Sequence, residues 1–327
     1  MRALTHDTFG DPAEVLTVTE VADAGEPGPG QVRLRIVRAT IHNHDLWTVR
    51  GTYGFKPDLP GARSGTEALG VVEALGEGVT HLSVGQRVVA GGVFGVWAEQ
   101  VLAPAAALLP VPDSIEDGAA AQLVSMPFSA VSLLDFTGLE AGGWLIQNAA
   151  NGAVGRLVVQ FARARGINVV SLVRREAGEQ ELADAGIDRV VSTDRADWRD
   201  RVEAITGGAP ITVAVDSVGG QAAADLLGVL AVDGTLISFG AMNDGVMLIP
   251  SGDVIFKQAT VKGFWGSAVS KAMAPERRTA LLREVVERVA SGEVTLGVEE
   301  TFPLEKAADA VAAHFRPGRV GKIQLVP

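Results

Sequence analysis

The chain changes its hydrophobic rhythm once, near Ser114. Before that point, short apolar runs (Val32–Val37, Gly70–Leu75, Arg87–Ala90 and Trp97–Leu102) are cut apart by turn residues such as Gly28-Pro29-Gly30 and Gly76-Glu77-Gly78. β-Favouring runs bounded by glycine and proline predict strands, and several in succession predict a small barrel-like β domain. After Ser114, Ala119–Leu134 is apolar without strand-like alternation and predicts a buried helix. Strand candidates Leu145–Asn148, Val169–Val173, Arg189–Val191, Ile211–Val215, Thr235–Phe239 and Thr260–Gly263 then alternate with helical stretches. Six such strands predict an α/β domain with a parallel, doubly wound sheet. Beyond Trp265 the pattern gives an amphipathic helix (Pro275–Ala290), a strand (Val298–Phe302), a short helix (Leu304–Ala313) and a strand (Val320–Leu325). The expected organisation is a β domain begun by residues 1–115, an α/β domain over 116–265, and a segment 266–327 that returns to the first domain.

One segment carries chemistry. The apolar run from Trp144 passes into Gln147-Asn-Ala-Ala-Asn-Gly-Ala-Val-Gly155, a helix is expected over Arg156–Arg165, and the next strand, Asn168–Val173, ends in Arg174-Arg175. Free backbone N–H groups at a helix N-terminus, with the macrodipole, favour an anion such as a pyrophosphate. The residue closing the second strand of such a unit reaches the adenosine ribose, where an acid selects a 2′-hydroxyl and arginine accommodates a 2′-phosphate. The segment therefore implies a dinucleotide cofactor, NADPH. A plainer alternative stands beside it, in which the two arginines pair with Glu176 or Glu179 on a solvated strand end.

Composition narrows the classes. A net charge of -11 argues against nucleic acid or an anionic membrane as partner. The absence of cysteine removes disulfides, thiolate metal sites and cysteine nucleophiles together. The start, Met-Arg-Ala-Leu-Thr-His-Asp, lacks the apolar core of a signal peptide, and no apolar run is long enough to span a bilayer, so a cytoplasmic protein is expected.

Taken together, the β domain, the six-stranded domain and the returning C-terminus resemble the medium-chain dehydrogenase/reductase superfamily. Gly65-Thr-Glu-Ala-Leu-Gly-Val-Val72 is similar to its G-H-E-x-x-G-x-V loop, with threonine where zinc enzymes carry histidine. The two other catalytic zinc positions hold His42 and Met126, and the four-cysteine structural zinc lobe is missing. His42 and Glu67 alone are too few donors for a zinc site, so no metal is expected. Three further segments resemble the 2-enoyl thioester reductases: Val49-Arg-Gly-Thr-Tyr-Gly-Phe-Lys-Pro57, Ile146-Gln-Asn-Ala-Ala-Asn-Gly-Ala-Val-Gly155, and Ile255-Phe-Lys-Gln-Ala-Thr-Val-Lys-Gly-Phe-Trp265.

The resemblance implies a Rossmann domain beside a GroES-like β-barrel catalytic domain. It implies NADPH contacts from Asn151, Gly152, Ala153, Val154, Gly155, Arg174, Arg175, Phe239, Gly240, Ala241, Met242, Phe264, Trp265 and Lys322. It assigns Tyr53, Met126 and Trp265 to the substrate cleft, and Tyr53 and His42 to catalysis. His42 stands where these reductases and the quinone oxidoreductases carry asparagine.

Tyr53, the one tyrosine of the chain, lies in the polar loop Gly51-Thr-Tyr-Gly54. Reducing a conjugated C=C places charge on the thioester oxygen, which a neutral phenol can hydrogen-bond or resolve with a proton. The alternative is a surface tyrosine stacked on its own loop. His42 has two readings: a donor to substrate or cofactor hydroxyls, or a ring satisfied by neighbouring backbone. Asp45 reads as an anchor for its loop, Trp265 as a cleft wall or as core filling, and His6, His81 and His314 as surface residues. Val246–Ile249 and Val261–Gly263 are expected as edge strands that pair across a two-fold axis in a homodimer. The leading expectation is an NADPH-dependent, zinc-independent reductase of a small-molecule enoyl thioester. A quinone or enone reductase is the second, and an NADPH-binding protein without turnover the third.

Overall fold

The computed structural model describes residues 1–327. They form two compact units, Met1–Ser125 with Glu284–Pro327, and Met126–Arg283. The expected boundaries at 115/116 and 265/266 are thereby corrected. Residues 116–125 stay with the first unit because the Gly118 carbonyl accepts from the Gln324 side chain (2.7 Å) and the Glu67 carboxylate accepts from the Val124 and Ser125 N–H groups (2.6 and 2.8 Å). The second boundary falls inside the helix Pro275–Ala290, whose Arg277 pairs with Asp135 in the second unit.

In the first unit the long strand Gln31–Thr40 is the organiser. It pairs antiparallel with Glu67–Leu75, Gln100–Pro104 and Lys322–Val326, so the C-terminal strand is sewn into the N-terminal sheet. Val32, Leu34 and Ile36 alternate inward along it, as a strand with one buried face requires. Two register shifts, at Arg33/Leu34 and Ile36/Arg38, bend the strand. A second small sheet is built from Thr17–Glu20, Arg2–His6 and Ala62–Arg63. The core joins Leu34, Val72, Val88, Trp97, Val311 and Leu325. Trp97 lies outside the strand expected at Trp97–Leu102: it is buried, its Nε1–H pointing at the Thr40 carbonyl (3.4 Å), and regular pairing starts at Gln100.

In the second unit six parallel strands lie in the order Val190–Ser192, Asn168–Val173, Trp144–Gln147, Ile211–Asp216, Thr235–Ser238 and Thr260–Gly263. The first strand in sequence is central, and the chain reverses its direction of winding there, so a crevice opens at the carboxyl ends of Trp144–Gln147 and Ile211–Asp216. The helix Ala153–Ala164 buries Leu157, Val158, Phe161 and Ala162, an apolar stripe at helical spacing.

Three expectations are corrected. Ala119–Leu134 is two helices, Asp117–Ala120 and Ser125–Thr137, because the Val124 and Ser125 N–H groups turn to Glu67. Val246–Ile249 is an exposed loop with one bridge, Gly220↔Met247, rather than a strand. Leu304–Ala313 opens with a 3-10 turn, Leu304–Lys306, before the helix Ala307–His314. No helix is long and apolar enough to cross a membrane.

Candidate functional site

The carboxyl edge of the second unit is built by the turn after Trp144–Gln147. The Asn148 amide donates to Asp216 Oδ1 (2.6 Å) and its oxygen accepts the Ser217 N–H (2.7 Å), tying the two strand ends that flank the switch point. Asp216 also accepts the Val218 and Gly219 N–H groups. Ala149 takes φ 48°, and Ala150 N–H reaches the Leu172 carbonyl (3.2 Å), fixing the turn against the neighbouring strand. Gly152 caps the helix Ala153–Ala164, whose first-turn N–H groups have no intrahelical acceptor. A Cβ on Gly155 would lie 2.8 Å from Ala150 Cα and its carbonyl oxygen, so the helix approaches the turn more closely than any side chain permits. Arg156 braces the turn from behind, Nε donating to the Asn151 carbonyl (3.1 Å), and burial lowers its pKa.

Arg174 and Arg175 end the adjacent strand with both side chains exposed. The alternative of pairing with Glu176 or Glu179 is not what the structure contains. Glu176 meets Arg195 (3.6 Å), and Glu179 is held by Arg201 (2.5 Å) and the Ser192 N–H (2.6 Å). Both guanidinium groups therefore stand free at the edge that carries the turn. Phe239-Gly-Ala-Met242 is tied to the same edge, with Phe239 and Gly240 N–H on the Asp216 carbonyl and Met242 N–H on that of Ser217. Phe264 is buried, its ring against Phe136 (5.2 Å) and Phe239 (5.6 Å). It supports Phe239 from within. Trp265, 68% exposed, is not core filling. Met126 is half-buried at the start of Ser125–Thr137.

In the first unit the helix Asn43–Arg50 starts at His42 and stops at Gly51 (φ 74°), where the Phe9 ring leaves no room for a Cβ. Asp45 anchors its N-terminus: Oδ2 accepts the His42 N–H (2.9 Å) and Oδ1 the Thr66 hydroxyl (2.6 Å). His42 is fully buried and both ring nitrogens are engaged, Nε2 with Glu67 Oε2 (2.7 Å) and Nδ1 with Lys322 Nζ (3.1 Å). An ammonium donates, so Nδ1 accepts and Nε2–H donates to Glu67. Burial first, then the Lys322 cation, hold the His42 pKa well below the usual imidazole range. Burial raises that of Glu67 against two backbone N–H donors, and burial brings Lys322 down to about 8. The expectation that His42 donates to a ligand is corrected: the ring has no nitrogen to spare, and its partners are side chains rather than backbone.

Tyr53 is half-buried, its ring tilted against His44 (5.9 Å) and Trp47 (6.5 Å). His6 and His314 are buried, correcting their surface reading. His6 Nδ1 lies 3.3 Å from the Ser64 hydroxyl, and His314 Nε2 bonds Asn43 Oδ1 (2.7 Å) from 271 residues away. Burial, then Arg319, lowers the His314 pKa to about 3. The residues that sequence reasoning missed are Asp216 and Thr66. The Asp-Ser-Val-Gly-Gly that follows Ile211–Val215 was the available signal for the first. Thr66 had none beyond its place in the Gly65-Thr-Glu67 loop. Zinc does not fit this group: the two donors are spent on each other, and an ammonium occupies the outer ring nitrogen.

Comparison with known proteins places these features in context. Residues 28–113 match the family model of the alcohol dehydrogenase GroES-like domain, and residues 153–286 that of the zinc-binding dehydrogenases. The chain is 31% identical over 323 residues to the mitochondrial enoyl-[acyl-carrier-protein] reductase of Homo sapiens, covering 97% of this chain and 86% of that one. The Caenorhabditis elegans counterpart is 31% identical over 300 residues, 90% of this chain and 86% of that one. Among solved structures, Escherichia coli quinone oxidoreductase complexed with NADPH superposes with a TM-score of 0.87 at 25% identity, both chains covered in full. The mitochondrial 2-enoyl thioester reductase Etr1p/Etr2p heterodimer of Candida tropicalis gives 0.87 at 22% identity, with 100% and 99% covered, a likeness of fold.

Proposed function

The chain belongs to the family of the mitochondrial enoyl-[acyl-carrier-protein] reductases, within the medium-chain dehydrogenase/reductase superfamily, and from that premise we propose an NADPH-dependent, zinc-independent reductase of an activated C=C bond, with an enoyl thioester as substrate. The observation that carries the cofactor assignment is the unpaired Arg174-Arg175 beside the Gly152–Gly155 turn, while both neighbouring glutamates are satisfied elsewhere. The cradle fits a dinucleotide phosphate in three respects. Gly155 leaves no side chain in the way, the first-turn N–H groups of Ala153–Ala164 are open to an anion, and two fork-shaped cations stand where a 2′-phosphate is read. Phe239–Met242, backed by Phe264, and the exposed Trp265 are the apolar groups available to the nicotinamide end. When bound, NADPH supplies the hydride that goes to the β carbon of the substrate.

The protein's part is to handle the charge and the proton. Tyr53 presents a phenol, on a loop fixed by Gly51, to the carbonyl oxygen on which negative charge develops, and is the donor for the α carbon. Lys322, His42 and Glu67 form a buried chain in the same unit. A quinone or enone substrate is the second reading, favoured by the higher identity to the E. coli quinone oxidoreductase structure than to the C. tropicalis thioester reductase. The exposed edge strand Thr260–Gly263, with Val246, Leu248 and Ile249 exposed nearby in sequence, supports a homodimer that sedimentation velocity would detect.

The test is binding of NADPH and NADH to the protein, followed by turnover with crotonyl-CoA, a longer enoyl-CoA, an enone and a quinone. Preferential NADPH binding and thioester turnover support the proposal. Turnover of quinones alone selects the second reading, and tight NADPH binding with no reaction selects a non-catalytic binding protein.

A further inference from the structure

We propose that His44 is the proton-relay partner of Tyr53, returning to the phenol the proton it gives up during reduction. The proposal rests on the reductase reading above. It stands on a hydrogen-bonded chain, Asp45–Thr66–His44, that the ring nitrogens of His42, sealed between Glu67 and Lys322, do not enter.

His44 is the outer of two stacked imidazoles, its ring 5.1 Å from that of His42 with a 12° interplanar angle. Its Nε2 lies 2.7 Å from Thr66 Oγ1 and 3.5 Å from Asp45 Oδ1. The Thr66 hydroxyl has one proton and gives it to Asp45 (2.6 Å), so toward His44 it can only accept. Nε2 therefore carries hydrogen, and Nδ1 is left without a partner in the protein. The buried Asp45 carboxylate behind Nε2 orients the ring. The His44 side chain is 25% exposed, and the Tyr53 ring lies 5.9 Å from its ring. Trp47 flanks that ring, and Thr52 and Tyr53 N–H both reach the Trp47 carbonyl, so the loop is held in place.

The proton balance is complete. Hydride from the reduced nicotinamide adds to the β carbon, and the electron pair of the C=C moves onto the carbonyl oxygen as an enolate. The Tyr53 O–H bond breaks as the Cα–H bond forms, leaving a phenolate. The Nδ1–H bond of the His44 imidazolium then breaks as the phenol re-forms, and the neutral imidazole takes a proton from water. His44 acts through Tyr53 and is a positioning and relay residue rather than a catalytic one.

Tyr53 is the only tyrosine, so its contact with His44 can be read without assignment. In ligand-free protein labelled with [13C]tyrosine, the single ring signal should differ between wild type and His44→Gln, because the imidazole lies against the Tyr53 ring. The glutamine amide can keep the Thr66 contact but has no proton to relay. In turnover, His44→Gln should lower kcat about a hundredfold with KM within about twofold. His44→Ala should recover at least about tenfold on addition of free imidazole, which a purely structural role would not allow. A tyrosine signal unchanged in His44→Gln, or full kcat in folded His44→Gln alongside an impaired Tyr53→Phe, overturns the relay and leaves the reductase reading intact. Wild-type protein that turns over no thioester, enone or quinone rejects both.

Discussion

Lys322→Met tests the buried chain Glu67–His42–Lys322. Lys322 is 7% exposed, donates to His42 Nδ1, and has its pKa brought from 10.5 down to about 8 by burial first and then by Arg319, against the pull of Glu67 and Asp45. Above the unfolded value the group is neutral in both states and costs nothing. As pH falls, the unfolded chain takes up the proton first, so the folded state loses stability until it too is protonated near pH 8. At 1.36 kcal/mol per pKa unit the whole penalty is about 3 kcal/mol. Methionine removes the ammonium but leaves His42 Nδ1 without a donor, which costs about 1–3 kcal/mol. At pH 7 the two effects largely cancel. The pH dependence does not: wild-type stability relative to the variant should rise by about 3 kcal/mol between pH 8 and 10.5. Urea denaturation of both proteins at half-unit pH intervals between about 8 and 10.5 reads this difference. A difference that is flat, or that falls with rising pH, would refute the buried cation.

Three other outcomes follow from the same structure. Arg174→Ala with Arg175→Ala should raise the Kd for NADPH on the order of tenfold to a hundredfold and leave NADH unchanged, as measured by calorimetry. Gly155→Ala places a Cβ 2.8 Å from the Ala150 backbone, which cannot yield as a flexible side chain would. About 1–3 kcal/mol of overpacking should appear in denaturation, together with weaker binding of both cofactors. His314 is held neutral by burial, its pKa lowered from 6.5 to about 3, so stability should fall as pH drops below 6.5 and the unfolded chain alone becomes protonated. His314→Gln, which retains a donor for Asn43 Oδ1, should flatten that slope in thermal melts between about pH 7 and 4.

What could be read from the chain follows a physical divide. Local pattern found the strands: Thr260–Gly263 and the helix Pro275–Ala290 match to the residue, and the candidate Val169–Val173 falls one residue short of Asn168–Val173. Continuous apolar runs and a stripe at helical spacing are properties of neighbours in sequence. Contacts over long separation were invisible. The break between Ala120 and Ser125 is made by Glu67, some 57 residues upstream, and an unbroken apolar composition could not reveal it. His314 is buried against Asn43, 271 residues away, and Lys322, bonded to a histidine 280 residues away, owes its depressed pKa to burial and then to Arg319. Val246–Ile249 failed in the other direction, since an apolar run signals burial or partnership without saying which. At the site, the turn and the double arginine were legible because glycine and charge carry their chemistry in sequence. The Asp45–Thr66–His44 chain was not, because threonine reveals its role only through the groups it touches.

The central claim is that this fold reduces an activated double bond with Tyr53 as the proton donor. The most direct measurement is the initial rate of NADPH oxidation with crotonyl-CoA by wild-type protein and by Tyr53→Phe. Turnover by the wild type, falling by about a hundredfold in the variant while NADPH affinity is retained, is the predicted result. Equal rates in the two proteins, or no oxidation by a folded wild type that binds NADPH, would contradict it.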